Sequence, residues 1–116
     1  MDKDIARLNT IIGYCDKTAE LIEECGDDIE DFTGDIAYQE RCSFYILQIG
    51  ENAGKLSKEL TKKYPEADWD GIRILRNEIA HTYNWIDKEL IWSAVTEDLP
   101  KMKEACENIL IELENR

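Results

Sequence analysis

Residues 35–60, DIAYQERCSFYILQIGENAGKLSKEL, decide the fold. Tyr38, Cys42, Tyr45, Ile49, Ala53, Leu56 and Leu60 follow one another at steps of 4, 3, 4, 4, 3 and 4. That is the period of one apolar helix face, so a helix is expected to open near Asp35 and run through the stripe. Its centre, CSFYILQIG, is apolar on several faces and predicts contact on more than one side. Gly50 and Gly54 lie four apart on it. Each costs about 1 kcal/mol against Ala in a helix interior, so close backbone packing is the expected compensation.

Working outward, Ile5, Leu8, Ile12, Cys15, Ala19 and Ile22 recur at steps of 3, 4, 3, 4 and 3, which marks a helix over residues 2–25 with Gly26 as its stop. The stretch GDDIEDFTGD, residues 26–35, reads as a solvated acidic loop and lacks the ligand spacing of a calcium loop. After a loop TKKYPEA, Asp68 is placed to cap a third helix running from Trp69 to Tyr83. The last segment runs from Asp87 to Glu114 with Ile91, Val95, Leu99, Met102, Cys106, Ile109 and Leu113 in register, and Pro100 predicts a kink or a break. No stretch sustains strand alternation. The expectation is an all-α fold, a four-to-five-helix up-and-down bundle, in a single domain over residues 1–116.

Composition agrees with one folded domain: 43% of the 116 residues are hydrophobic and 34% charged. Lys and Arg total 14 against 26 Asp and Glu, a net charge of −12. The distribution is uneven. Residues 1–40 carry −9, residues 41–83 carry +1 and residues 84–116 carry −4. Binding of nucleic acid through a broad basic surface is excluded, whereas a local phosphate site in the middle third is not. Cys15, Cys25, Cys42 and Cys106 form no C-x-x-C pair, and with one His in the chain a zinc site is not indicated. All four fall on apolar stripes and are expected to be buried free thiols. No apolar run reaches the roughly 20 residues of a membrane span, and the acidic start MDKDIARLNT is unlike a secretory signal. A cytoplasmic protein without a membrane segment is expected.

The third helix carries the chemistry. Ile72, Leu75 and Ile79 form its apolar stripe, with Ala80 at the edge. Arg73, Asn77 and His81 form one i, i+4, i+8 row, and Arg76 flanks it on the side of Ile72. Arginine suits phosphate oxygens because its planar fork donates parallel hydrogen bonds. Histidine titrates near neutral pH and suits proton transfer. Taken singly, each has a plainer explanation. A helix arginine is most often a solvated or salt-bridged charge, the histidine a satisfied surface residue, and Tyr83 with Trp85 an aromatic anchor after the helix.

The wording of this helix adds to its spacing. RNEIAHTY, residues 76–83, matches the R-x-x-x-x-H-x-Y signature of the HEPN superfamily. The blocks IGENAGKLS, YPEADWDGIRILRNEIAHTYNWID and ELIWSAVTEDLP, in that order, resemble the HepT-like toxin family over residues 40–104. The resemblance implies a helical bundle that dimerises and cleaves RNA without a metal or other cofactor. Its catalytic pair would be Arg76 and His81, with Asn77 as polar helper; Arg73, from its place in the same helix row, is a further candidate phosphate contact. Its partners would be a second copy, an RNA substrate and an antitoxin nucleotidyltransferase of the MntA kind. That enzyme transfers AMP to the motif tyrosine, here Tyr83, and silences the nuclease. A noncatalytic HEPN module that binds nucleotide or RNA beside a nucleotidyltransferase is the alternative, and a purely structural helical dimer is the third.

Spacing supplies an independent reason for a dimer. Arg76 and His81 are about 140° apart on an ideal helix, so one copy converges poorly. A twofold axis beside this helix would set two of each around one cleft.

Overall fold

The structure is a computed structural model and describes residues 2–81 and 87–115. Among these residues every regular element is helical. Four long helices, α1 (Asp2–Cys25), α3 (Ile36–Gly54), α5 (Trp69–His81) and α7 (Leu99–Glu114), build the bundle. Three short ones, α2 (Ile29–Thr33), α4 (Lys58–Lys63) and α6 (Lys88–Ser93), follow α1, α3 and α5 in the chain. Helix α3 is central and packs on both α1 and α5, while α1 also packs on α7.

Helix α1 stops where the sequence says it should. Gly26 adopts φ +117° and its N–H bonds back to the Ile22 carbonyl at 2.9 Å. The buried ridge of α1 is Leu8, Ile11, Cys15, Thr18 and Leu21, whereas Ile12 and Ile22 are half-buried and Ala19 is exposed. Leu8 and Cys15 of the expected stripe are thus buried, while Ile11, Thr18 and Leu21 take the core places expected of Ile12, Ala19 and Ile22. Thr18 is tolerated there because its hydroxyl donates to the Tyr14 carbonyl at 2.8 Å.

The acidic stretch is not simply a loop. Asp28 caps the one-turn helix α2 by accepting from the Glu30 N–H at 3.0 Å, and Phe32 drops into the core. Phe32 meets Tyr38 edge-on at 5.1 Å and Trp92 at 5.2 Å between ring centroids, tying α2 to α3 and α6. The Tyr38 hydroxyl donates to the Gly26 carbonyl at 2.8 Å, and the Gln39 amide donates to the carbonyls of Phe32 and Thr33. A segment too short to persist alone is thus held by its neighbours.

Helix α3 opens as expected, with Asp35 accepting from the Tyr38 N–H at 3.1 Å. It does not continue to Leu60. It ends at Gly54, and Ser57 caps a separate α4 by accepting from the Leu60 N–H at 3.2 Å. Leu56 and Leu60 stay buried, so the apolar stripe survives a break in the backbone helix. Ser57 is itself held by Asp4, whose carboxylate accepts from the Ser57 N–H at 2.9 Å and its hydroxyl at 2.7 Å. Burial pushes the Asp4 carboxyl up, but the Ser57 hydrogen bonds and the Arg7 charge outweigh it and hold the group below the usual aspartate range.

The last segment is one helical run with a defect rather than a break. Asp87 caps α6 by accepting from the Leu90 N–H at 3.1 Å. A π-helical turn, Ala94–Asp98, then leads into α7, and Pro100, which has no N–H to continue the ladder, follows directly after it in the first turn of α7. Ile91, Val95, Leu99, Met102, Cys106 and Ile109 are buried as the register predicts. The four cysteines are free. Cys15, Cys42 and Cys106 are buried, and burial pushes each thiol up to about 12, while Cys25 is half-buried. Among the described residues no helix is long and apolar enough to cross a membrane.

Candidate active site

Helix α5 is anchored before it is decorated. The Asp68 carboxylate accepts from the Gly71 N–H at 2.9 Å and caps the first turn. The Trp69 indole N–H donates to the Tyr64 carbonyl at 2.9 Å. Ile72, Leu75 and Ile79 are buried, and Arg76 follows Leu75 at the edge of that stripe, half-buried.

The position of Arg76 is set by a missing side chain on α3. A Cβ built on Gly50 would lie 2.5 Å from the Arg76 Cβ and 2.7 Å from its Cγ. Gly50 therefore provides the slot that accepts the arginine stem, which is the close packing expected of this glycine. Gly54 does no such work: a Cβ there meets no atom within 4 Å.

Beyond the slot the guanidinium is held on two sides. Its Nη2 donates to the Glu51 carboxylate at 2.8 Å, and its Nη1 donates to the Asn77 Oδ1 at 3.1 Å. Glu51 in turn lies 3.9 Å from the ammonium of Lys55, the residue at the C-cap of α3. Lys55, Glu51, Arg76 and Asn77 thus form a chain of alternating partners across the α3–α5 contact.

Arg76 and Asn77 are accordingly brought together. Arg73 is not part of that group: it is exposed and its guanidinium lies 3.8 Å from the Asp70 carboxylate. His81 is the last residue of α5 and is exposed. Five residues past Arg76 on a continuous helix, it projects about 140° around the axis, so the Arg76 and His81 of one chain leave the helix on different sides. Tyr83 and Trp85 lie outside the described residues.

Sequence reasoning missed Glu51 and Lys55. The clue was present in Gly50: a glycine that lets a helix approach implies that its neighbour stands at the crossing, and Glu51 and Lys55 have the i, i+4 spacing of a helical ion pair.

A cavity of ≈ 420 Å³ lies on another flank of α5, beside Gly71, Ile74, Leu75 and Glu78. Its apolar lining is joined by four carboxylates, Glu66, Asp68, Glu78 and Asp98, against one ammonium, Lys101. Burial pushes the Asp98 carboxyl up; Lys101 opposes this, while Glu97 and Asp68 add to it. A polyanion is repelled there, so the cavity is not the phosphate site.

Residues 11–109 match the family model described as Ribonuclease HepT-like. The chain is 33% identical over 95 residues to a Methanocaldococcus jannaschii protein named "Putative RNase", covering 74% of this chain and 87% of the relative. It is 27% identical over 99 residues to a Thermococcus cleftensis protein named "Probable ribonuclease HepT", covering 78% and 86%. A Caldanaerobacter subterraneus relative, also named "Putative RNase", is 25% identical over 89% of this chain and 90% of its own length. No solved structure matches.

Proposed function

The chain belongs to the HepT-like ribonuclease family, and from that premise we propose that it is a metal-independent endoribonuclease toxin acting as a homodimer. The observation that carries this reading is the fixed Arg76: a half-buried guanidinium, seated by Gly50 and oriented by Glu51 and Asn77, on the helix that ends in the chain's one histidine. Cleavage without a metal uses the ribose 2′-oxygen as nucleophile on the adjacent phosphorus. The new P–O2′ bond forms as the P–O5′ bond breaks, a base takes the 2′ proton and an acid supplies one to the leaving oxygen. Arg76 offers N–H donors for the charge that builds on the phosphoryl oxygens. Two His81 side chains, one from each copy, would serve as base and acid.

Helix α3 supports the second copy. Phe44 is 50% exposed in contact range of the Tyr14 and Tyr45 rings, and Phe44, Gln48 and Glu51 share one face of the helix that Lys55 ends. A partner covering Phe44 along this face would reach the Arg76 edge, and isologous symmetry would gather both sites.

Regulation is proposed at Tyr83, two residues past His81 in sequence. Its phenol oxygen would attack the α-phosphorus of ATP in a partner nucleotidyltransferase, giving Tyr-AMP and pyrophosphate, with the phenol proton passing to a base of that enzyme. The added phosphate would compete for the cations that bind RNA.

Incubation of purified protein with total RNA in EDTA tests the function, beside Arg76→Ala and His81→Ala controls. Cleavage by the wild type and none by the controls is expected. Equal cleavage by all three overturns it, and RNA binding without cleavage would favour a noncatalytic HEPN module.

A further inference from the structure

Glu51 is an acid in direct contact with the cation of the proposed site, and that contact is informative. We propose that Glu51 is a positioning residue for Arg76 and a resident stand-in for the substrate phosphate, holding the guanidinium in the resting site and withdrawing onto Lys55 when a phosphodiester arrives. This rests on the RNA-cleavage reading above.

The chemistry of the two anions is alike. A carboxylate and a phosphate both accept charge-assisted N–H bonds from a guanidinium, and Glu51 occupies such a position at 2.8 Å. Arginine has five N–H donors; Glu51 and Asn77 hold the group by its two terminal nitrogens without exhausting them. The guanidinium is therefore fixed in plane and still able to receive another oxygen.

The contact is built to exchange. The Arg76 side chain is 38% exposed and that of Glu51 45%, so solvent and ligand reach both. Lys55, at the C-cap of α3, lies 3.9 Å from the other Glu51 oxygen and can keep the carboxylate compensated after it leaves. The arginine need not follow it, because the stem is seated against Gly50 independently of the ion pair. Without Lys55, a released carboxylate would stand uncompensated beside the incoming phosphate.

The test uses the full chain and a single-stranded RNA oligonucleotide methylated at every 2′-oxygen, which cannot be cleaved by 2′-attack. Glu51→Gln keeps an acceptor but no charge. It is expected to bind the oligonucleotide about two- to fivefold more tightly at low salt. Glu51→Ala removes the hold as well, and is expected to lower turnover of cleavable RNA with no matching rise in half-saturation. Wild-type affinity in Glu51→Gln, or wild-type turnover in Glu51→Ala, overturns the proposal. If the wild type fails to bind the oligonucleotide, the function reading fails, and the Arg76 guanidinium nitrogen resonances titrated with inorganic phosphate decide the exchange by itself. Saturation at lower phosphate in Glu51→Gln than in wild type upholds it; superimposable titrations overturn it.

Discussion

Gly50 and Arg76 share one slot: the arginine Cβ and Cγ stand 2.5 and 2.7 Å from where a Cβ on residue 50 would be. The arginine of the proposed site is thus placed by packing before electrostatics orients it. Gly50→Ala forces α3 and α5 apart or displaces the arginine stem, and overpacking of this kind costs about 1–3 kcal/mol. A lower thermal midpoint together with reduced RNA cleavage is expected.

Gly13 gives the opposite sign. It lies inside α1, its φ is not positive, and a Cβ there meets nothing within 4 Å. Gly13→Ala should raise stability by about 0.5–1 kcal/mol, read from denaturant unfolding, because only helix propensity changes.

Arg76→Ala and His81→Ala should each lower RNA cleavage by about two orders of magnitude or more, given the usual size of charge-stabilisation and acid–base contributions. Circular dichroism should show unchanged helicity, since neither residue is a fully buried core member. Wild-type activity in either variant removes that residue from the mechanism.

Phe44 tests assembly. Light scattering on the wild type at micromolar concentration should give twice the 13.5 kDa chain mass. Phe44→Glu places a charge on the aromatic face and should give the monomer with loss of cleavage but no loss of helix. A monomeric wild type contradicts the shared cleft.

Asp4 sets an acid dependence. Its carboxyl is held below the usual aspartate range, so the unfolded chain binds its proton more readily than the folded one. The stability it contributes is complete above the ordinary value of about 3.9 and is lost as pH falls through the depressed folded value. Ser57→Ala should lower stability at neutral pH by about 1–3 kcal/mol, since Asp4 loses a hydroxyl donor while remaining buried. It should also flatten this part of the acid transition, measured as the difference between wild-type and variant unfolding curves across pH.

The cysteines report on burial. Cys25 is half-buried, while Cys15, Cys42 and Cys106 are enclosed and their thiols lifted to about 12. Iodoacetamide at neutral pH should label Cys25 in the native protein and all four after denaturation, counted by intact mass.

Much of the architecture was legible because its stop and start devices are local. Gly26 ends α1, and Asp35, Asp68 and Asp87 cap their helices where the sequence places them. Periodicity reports burial, however, and not backbone continuity. Leu56 and Leu60 kept the α3 stripe in step across a break that Ser57 caps, so one helix was expected where two exist. Phe32 pulls the acidic stretch into a helical turn through contacts with Tyr38 and Trp92 that no local pattern reveals. In the candidate site the α5 residues were readable from their own spacing. Glu51 was not, because its partner lies 25 positions away on a crossing helix.

The Asp4–Ser57 bond spans 53 residues and fixes the cap of a six-residue helix. Such a short helix cannot nucleate alone, and loop closure over that distance must wait until α1 and α3 have docked. Helix α4 is therefore expected to form late in folding and to open early in unfolding, which amide hydrogen exchange would read as low protection in α4. The N-terminal turn of the chain thereby governs the lifetime of a segment half the sequence away, and local opening at one releases the other.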